Sequence, residues 1–128
     1  MNVVDSSAWL EYFGGGPNAD AYAKAIEDTA GLVVPSITVL EVFKRFLQQR
    51  NEADALKAIG VMQLGTVVDL NAALALDAAH LGFTEGLTLA DSVIYATARA
   101  YNATLWTQDA HFKRLPGVEY RERRAPAG

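Results

Sequence analysis

The 128-residue chain contains no cysteine. That excludes disulfide staples, thiolate metal sites and a cysteine nucleophile, and it predicts a cytoplasmic protein. Long apolar runs are missing too: no stretch approaches the roughly 20 residues needed to cross a bilayer, so no membrane partner is expected. The start, Met1-Asn2-Val3-Val4-Asp5, has no basic segment and meets an acid at once, unlike a secretory signal. No Gly-x-Ser-x-Gly occurs, which argues against a serine nucleophile. The triple glycine at 14–16 lacks the Lys-Ser/Thr ending of a phosphate-binding loop and reads as a turn. Positive charge is not in excess: 11 basic residues face 15 acidic ones, a net charge of −4. Nucleic-acid affinity would therefore need a local basic patch, a dimer surface or a bound metal.

The composition that remains, 51% hydrophobic and 20% charged, is that of an ordinary globular protein, and the length fits one domain over 1–128. Short, uninterrupted apolar strands are predicted at 1–4, 32–34, 66–68 and 103–106, with a last one at 118–120 after Pro116-Gly117. Helices are predicted over 6–13, 19–29, 39–49, 52–62, 71–81 and 89–101, with Gly82 and Gly86 bracketing a loop. Such alternation indicates an α/β fold whose parallel sheet is covered on both faces. The helix over 89–101 is apolar all round, so it is expected to be central and buried. Residues 121–128 read as a loose polar tail. Tyr22, Phe43, Phe46, Leu47, Leu56 and Ile59 exceed what one modest sheet face must cover. They fit a groove for a partner helix or a dimer interface, and equally well a mutual packing.

Four acids stand where apolar runs end or helices begin: Asp5 after Val3-Val4, Glu41 after Val39-Leu40, Asp91 after Leu89-Ala90, and Asp109 just past Leu105-Trp106-Thr107. Each has a plain structural reading. Asp5 fits an N-cap, Thr38-Val39-Leu40-Glu41 a capping box, Thr88-Leu89-Ala90-Asp91 its acidic variant, and Asp109 the cap of a short turn. Four such caps at one end of one sheet would be a coincidence, because ligands of parallel sheets bind beyond the strands' carboxyl ends. Converging carboxylates repel, by roughly 4 kcal/mol for a pair 4 Å apart at an effective dielectric near 20, and a divalent cation removes that cost. Oxygen-only donors favour Mg²⁺ or Mn²⁺ over zinc. Ser6 and Thr107 set hydroxyls beside Asp5 and Asp109, suited to a phosphate oxygen or a metal-bound water. His80 reads as satisfied or half-buried; His111, close after Asp109, reads as an exposed loop residue, with contact to substrate as the alternative. Arg121, Arg123 and Arg124 read as a solvated tail, with contact to RNA as the alternative.

Val4-Asp5-Ser6-Ser7, Pro35-Ser36-Ile37-Thr38-Val39-Leu40-Glu41, Leu87-Thr88-Leu89-Ala90-Asp91 and Leu105-Trp106-Thr107-Gln108-Asp109, in that order, resemble the PIN-domain ribonucleases. Length and motif order are most similar to VapC-type toxins of toxin–antitoxin modules. Phe112 fits the same pattern as an aromatic that packs on the core. The resemblance implies a three-layer α/β/α sandwich, Mg²⁺- or Mn²⁺-dependent endoribonuclease activity, a cognate antitoxin and a homodimer. It also implies that Asp5, Glu41, Asp91 and Asp109 form an acidic quartet, with Thr107 as the hydroxyl beside the last acid. On this reading Asp5 and Asp91 hold the principal cation, Glu41 and Asp109 complete it, and a metal-activated water hydrolyses RNA. Two rivals remain: a phosphoacceptor receiver domain, which would want an acidic pair after the first strand, and a non-catalytic partner-binding module in which the acids only cap helices.

Overall fold

The computed structural model describes residues 1–125. Five parallel strands form one sheet: β1 (Asn2–Val4), β2 (Leu32–Pro35), β3 (Thr66–Val68), β4 (Thr104–Thr107) and β5 (Val118–Tyr120). Their order is β3-β2-β1-β4-β5. Six helices are described: α1 (Ser6–Gly14), α2 (Ala19–Glu27), α3 (Ser36–Gln49), α4 (Glu52–Met62), α5 (Ala72–Glu85) and α6 (Leu89–Ala100).

Alternation along each strand sorts side chains between two cores. Val4, Leu32 and Val34 pack with Ala8 and Trp9 of α1, Tyr22 and Ile26 of α2, Val42 of α3 and Met62 of α4. Val3, Val33 and Leu105 point the other way, onto Ile94, Tyr95 and Ala98 of α6 and onto Phe112 and Leu115. Helix α5 covers α6 from outside through Leu74 and Ala78 against Val93 and Ala96. The result is the expected α/β/α sandwich, and the residues Ser92 to Ala98 of α6 form an unbroken buried run.

Several boundaries differ from those predicted. Helix α3 begins at Ser36, directly after Pro35 ends β2, rather than at Val39. Thr38 therefore lies inside the first turn and donates to the Pro35 carbonyl at 2.7 Å. It caps nothing, and the capping box ending in Glu41 does not form. Helix α5 runs through Gly82 to Glu85 and stops at Gly86, whose φ of +67° suits the left-handed cap. Gly82 serves contact instead of ending the helix: a Cβ there would sit 3.2 Å from the Cβ of Ser92, so its absence lets α6 approach. His80 is exposed, because the buried stripe of α5 runs through Leu74 and Ala78.

The large apolar residues noted on the second to fourth helices divide. Tyr22 is fully buried, Phe43, Phe46 and Ile59 are half-buried, and Leu47 and Leu56 are exposed. Leu76, Phe83 and Leu89 are more exposed than any of these, although Leu89 opens the helix expected to be buried.

The tail read as loose is tethered over its described part. Arg121 N–H donates to the Thr107 carbonyl at 2.9 Å, Glu122 O accepts from Asn18 at 3.0 Å, and Arg124 donates to Asn18 at 3.3 Å. Residues 126–128 lie outside the described part of the chain.

Phe112 is fully buried and tilted against Tyr95 at 6.4 Å between ring centroids. Phe112→Ala is expected to destabilise the protein by about 3–5 kcal/mol, the range for emptying a buried aromatic site. A urea unfolding curve with unchanged slope and a lower midpoint would show it.

Candidate active site

The strand order reverses direction between β1 and β4, and such a switch point opens a crevice beyond the strands' carboxyl ends. The register pairs Val3 with Leu105 and Val4 with Trp106. One step further, Asp5 meets Thr107. By alternation both side chains project on the face covered by α6, whose first turn carries Asp91.

A cleft of about 730 Å³ lies there, and Asp5, Glu41, Asp91 and Asp109 all line it. Asp5 is 3% exposed and caps α1. Its Oδ1 accepts from the Ala8 N–H at 3.0 Å and the Ser7 hydroxyl at 2.6 Å. Its Oδ2 accepts from the Thr107 hydroxyl at 2.6 Å. That same Thr107 oxygen accepts from the Asp109 N–H at 2.9 Å, so one hydroxyl joins two of the four acids. Ser6 donates to Glu41 Oε1 at 2.6 Å. Ser6 and Thr107 thus orient carboxylates, a role the sequence reading did not give them.

Asp91 sits in the first turn of α6, its N–H bonded to the Thr88 hydroxyl at 3.4 Å, so that predicted cap forms. A helix N-terminus favours an ionised carboxylate. Asp109 caps the turn Ala110–Phe112 by accepting from the His111 N–H at 2.9 Å. The capping and cleft readings therefore coincide for Asp5, Asp91 and Asp109.

His111 stands beside two of these acids. Its side chain is 71% exposed, as expected of a loop histidine, yet Nδ1 lies 2.9 Å from Asp109 Oδ1 and 4.0 Å from Asp91 Oδ2. Asp91, Asp109 and His111 offer three ligand atoms within 4.8 Å of one another. The Asp-x-His spacing across one tight turn was the available signal. Asp5 and Glu41 line the same cleft but do not belong to that tight group. Gln108 is buried and accepts from Asn18 at 3.1 Å, a contact across 90 residues with no local signature.

A model of the PIN-domain family matches residues 3–118. The chain belongs to the PIN-domain family. Among solved structures, this PIN domain is similar to one in a toxin–antitoxin complex from Klebsiella pneumoniae. The two are 21% identical over 96% of this chain and 100% of that one, with a TM-score of 0.81. It is also similar to Mycobacterium tuberculosis VapC20, a sarcin-ricin loop cleaving toxin, at 15% identity over 94% and 99% of the chains and a TM-score of 0.77. VapBC2 from Rickettsia felis, bound to a DNA fragment from its promoter, aligns at 17% identity over 94% and 97%, with a TM-score of 0.70. At these identities the likeness is one of fold. No curated protein matches the chain.

Among the described residues of this PIN domain, no lysine or arginine lies within 4.0 Å of the four carboxylates. The electrostatic consequence appears at two of them. Burial raises the Asp5 carboxyl above the ordinary carboxylate value, outweighing the hydrogen bonds from Ser7, Thr107 and the Ala8 N–H that pull it down. Asp91 is pushed up to about 6, first by burial, then by the negative charge of Asp109, with smaller contributions from Asp5 and Glu41.

A carboxyl group whose folded pKa exceeds its unfolded one contributes stability that is fully present below the unfolded value. That contribution disappears as pH rises through the folded value. For Asp91 the window runs from about 4 to about 6. In chelator, the protein is expected to lose stability across this window. Asp91→Asn is expected to flatten that slope and raise the thermal midpoint at pH 7.5 by roughly 3–6 °C, the shift that ~1 kcal/mol gives a domain of this size. Thermal scans from pH 4 to 8 measure both.

Proposed function

We propose that this PIN domain, with residues 1–128 acting as one nuclease unit, is a divalent-metal-dependent endoribonuclease and the toxin of a toxin–antitoxin module. The observation that carries the reading is the convergence of four carboxylates in one cleft with no lysine or arginine in contact among the described residues. Helix caps alone do not need such convergence, and a receiver domain does not fit the strand order, since the flavodoxin-like order is 2-1-3-4-5. Solved relatives of the same fold are toxins and toxin–antitoxin complexes, which supports an antitoxin partner. A cognate antitoxin, a homodimer and a cytoplasmic setting complete the proposal.

The donor set fits Mg²⁺ or Mn²⁺. A carboxylate has about four acceptor sites. At Asp5 three are taken, leaving one on Oδ2. Glu41 Oε2 accepts no bond from a described residue. Asp5, Glu41, Asp91 and Asp109 would hold the ion. The chemistry supplied there would be cancellation of the mutual repulsion of these acids, acidification of an attacking water and stabilisation of the leaving 3′ oxygen.

The chain's own residues preorganise the site. Thr107 fixes the orientation of Asp5 and, through its oxygen, the backbone of Asp109. Ser6 fixes one oxygen of Glu41 and leaves the other free. Asp91 rides on the buried helix α6, so its position is set by the core. Water as nucleophile needs no ribose 2′-hydroxyl, and products carry 5′-phosphate and 3′-hydroxyl ends.

Purified protein should cut RNA in Mg²⁺ or Mn²⁺ and stop in chelator. Asp5→Asn should keep the fold, by circular dichroism, and lower cleavage about 100-fold or more, the scale for losing one electrostatic stabiliser of the transition state. Wild-type cleavage by that variant, or an absence of thermal stabilisation at millimolar Mn²⁺, would favour the non-catalytic reading instead.

A further inference from the structure

The acidic cleft has a cationic side. Along α3, Glu41, Lys44 and Arg45 stand at i, i+3 and i+4, so they share one helix face, and all three line the cleft. Arg123 lines it too, from the segment after β5. Arg50, also at the cleft, is committed to Asp54 at 3.1 Å. Among the described residues, Lys44, Arg45 and Arg123 have no carboxylate within 4.0 Å. Five acids line the cleft, Glu11 with the four named above, and these three uncommitted cations gather positive charge on one wall of it.

Arg123 is held in place from both sides. On one side, Arg121 N–H is bonded to the Thr107 carbonyl and the Glu122 carbonyl accepts from Asn18 Nδ2. On the other, Arg124 donates to Asn18 Oδ1. Asn18 is 2% exposed and also donates to Gln108 Oε1, itself 5% exposed and next to Asp109 in the chain. Its backbone N–H is taken by Glu11 Oε2 at 2.8 Å. Both polar atoms of the buried Asn18 side chain are engaged, a costlier arrangement than a solvated tail needs. It fixes the segment to the rim of the cleft.

We propose that the segment 121–124 is a strap, clamped by Asn18 and Gln108, that presents Arg123 as a positioning residue for a backbone phosphate of single-stranded RNA flanking the scissile one. Lys44 and Arg45 grip the strand from α3. The proposal rests on the nuclease reading above. It adds that one wall of the cleft neutralises phosphates while the acids leave the scissile one to the cation.

The test is steady-state cleavage of a labelled single-stranded RNA by the full chain in saturating Mg²⁺ over a series of KCl concentrations. Each phosphate contact contributes about 0.7 to the slope of log affinity against log salt for single strands. Arg123→Gln should raise KM several-fold with little change in kcat and lower that slope by about 0.7. Arg123→Lys should restore most of the slope. Asn18→Ala should reproduce Arg123→Gln, and the double variant should be no worse than either, as expected for two residues on one path. If Asn18→Ala does not fold, the exposed Arg123 variants decide alone. RNA cleavage by wild type with KM and salt slope unmoved in Arg123→Gln, or with loss confined to kcat, overturns the strap and leaves the nuclease reading standing. Failure of wild type to cut RNA overturns both.

Discussion

The parallel pairing of β1 with β4 is the contact on which the molecule depends. It joins residues 2–4 to 104–106 across nearly the whole chain, and its pairs Val3–Leu105 and Val4–Trp106 feed opposite cores. Because the register is set by buried side chains on both faces, a slip of one residue would turn every side chain over. The same register carries Asp5 to Thr107, where a 2.6 Å hydrogen bond closes the pair. Packing energy in the sheet interior thus fixes the geometry of polar groups at its edge. Neither acid needs a loop to find its place.

That geometry works against the isolated fold. Asp5 is almost wholly buried, Asp91 is raised to about 6, and the causes are desolvation and like charge with no cationic side chain at hand among the described residues. Hydrogen bonds from Ser7, Thr107 and a helix N-terminus offset part of the desolvation at Asp5. They do not remove the repulsion, which only a countercharge in the cleft can do. An arrangement costly without an ion and comfortable with one couples folding to binding: an ion that binds the native state alone stabilises it by mass action.

Much of this was legible in the sequence because it is local. Short apolar runs marked the strands, and acids directly after Val4 or two residues past β4 follow from the strand ends themselves. The errors were also local, and two of them lost to a longer-range contact. Gly82 looked like a helix breaker, yet it is the place where α6 comes close enough to touch. Thr38 looked like a cap, but Pro35 ends the strand and starts the helix with no loop between. The tail looked free, since nothing in Arg-Glu-Arg-Arg reveals that Asn18, more than 100 residues earlier, bonds to it. His111 is exposed as expected, and its contact with Asp109 follows from its place two residues further on.

Local consistency also separates the site from the scaffold. Strand composition, helix caps and the alternating cores all agree with one fold, as a well-specified sequence requires. The exceptions gather at one end of the sheet: a buried acid, a half-buried acid pushed up to about 6, and an amide clamp on the segment after β5. Each would be less costly as something else, Asp5 as the asparagine or serine of an ordinary cap, Gln108 as an apolar residue, Arg123 untethered. Placed anywhere else on the surface they would be unrelated irregularities. Within one cleft of about 730 Å³ they share a single explanation, a polyanion held between a cation site and a basic wall.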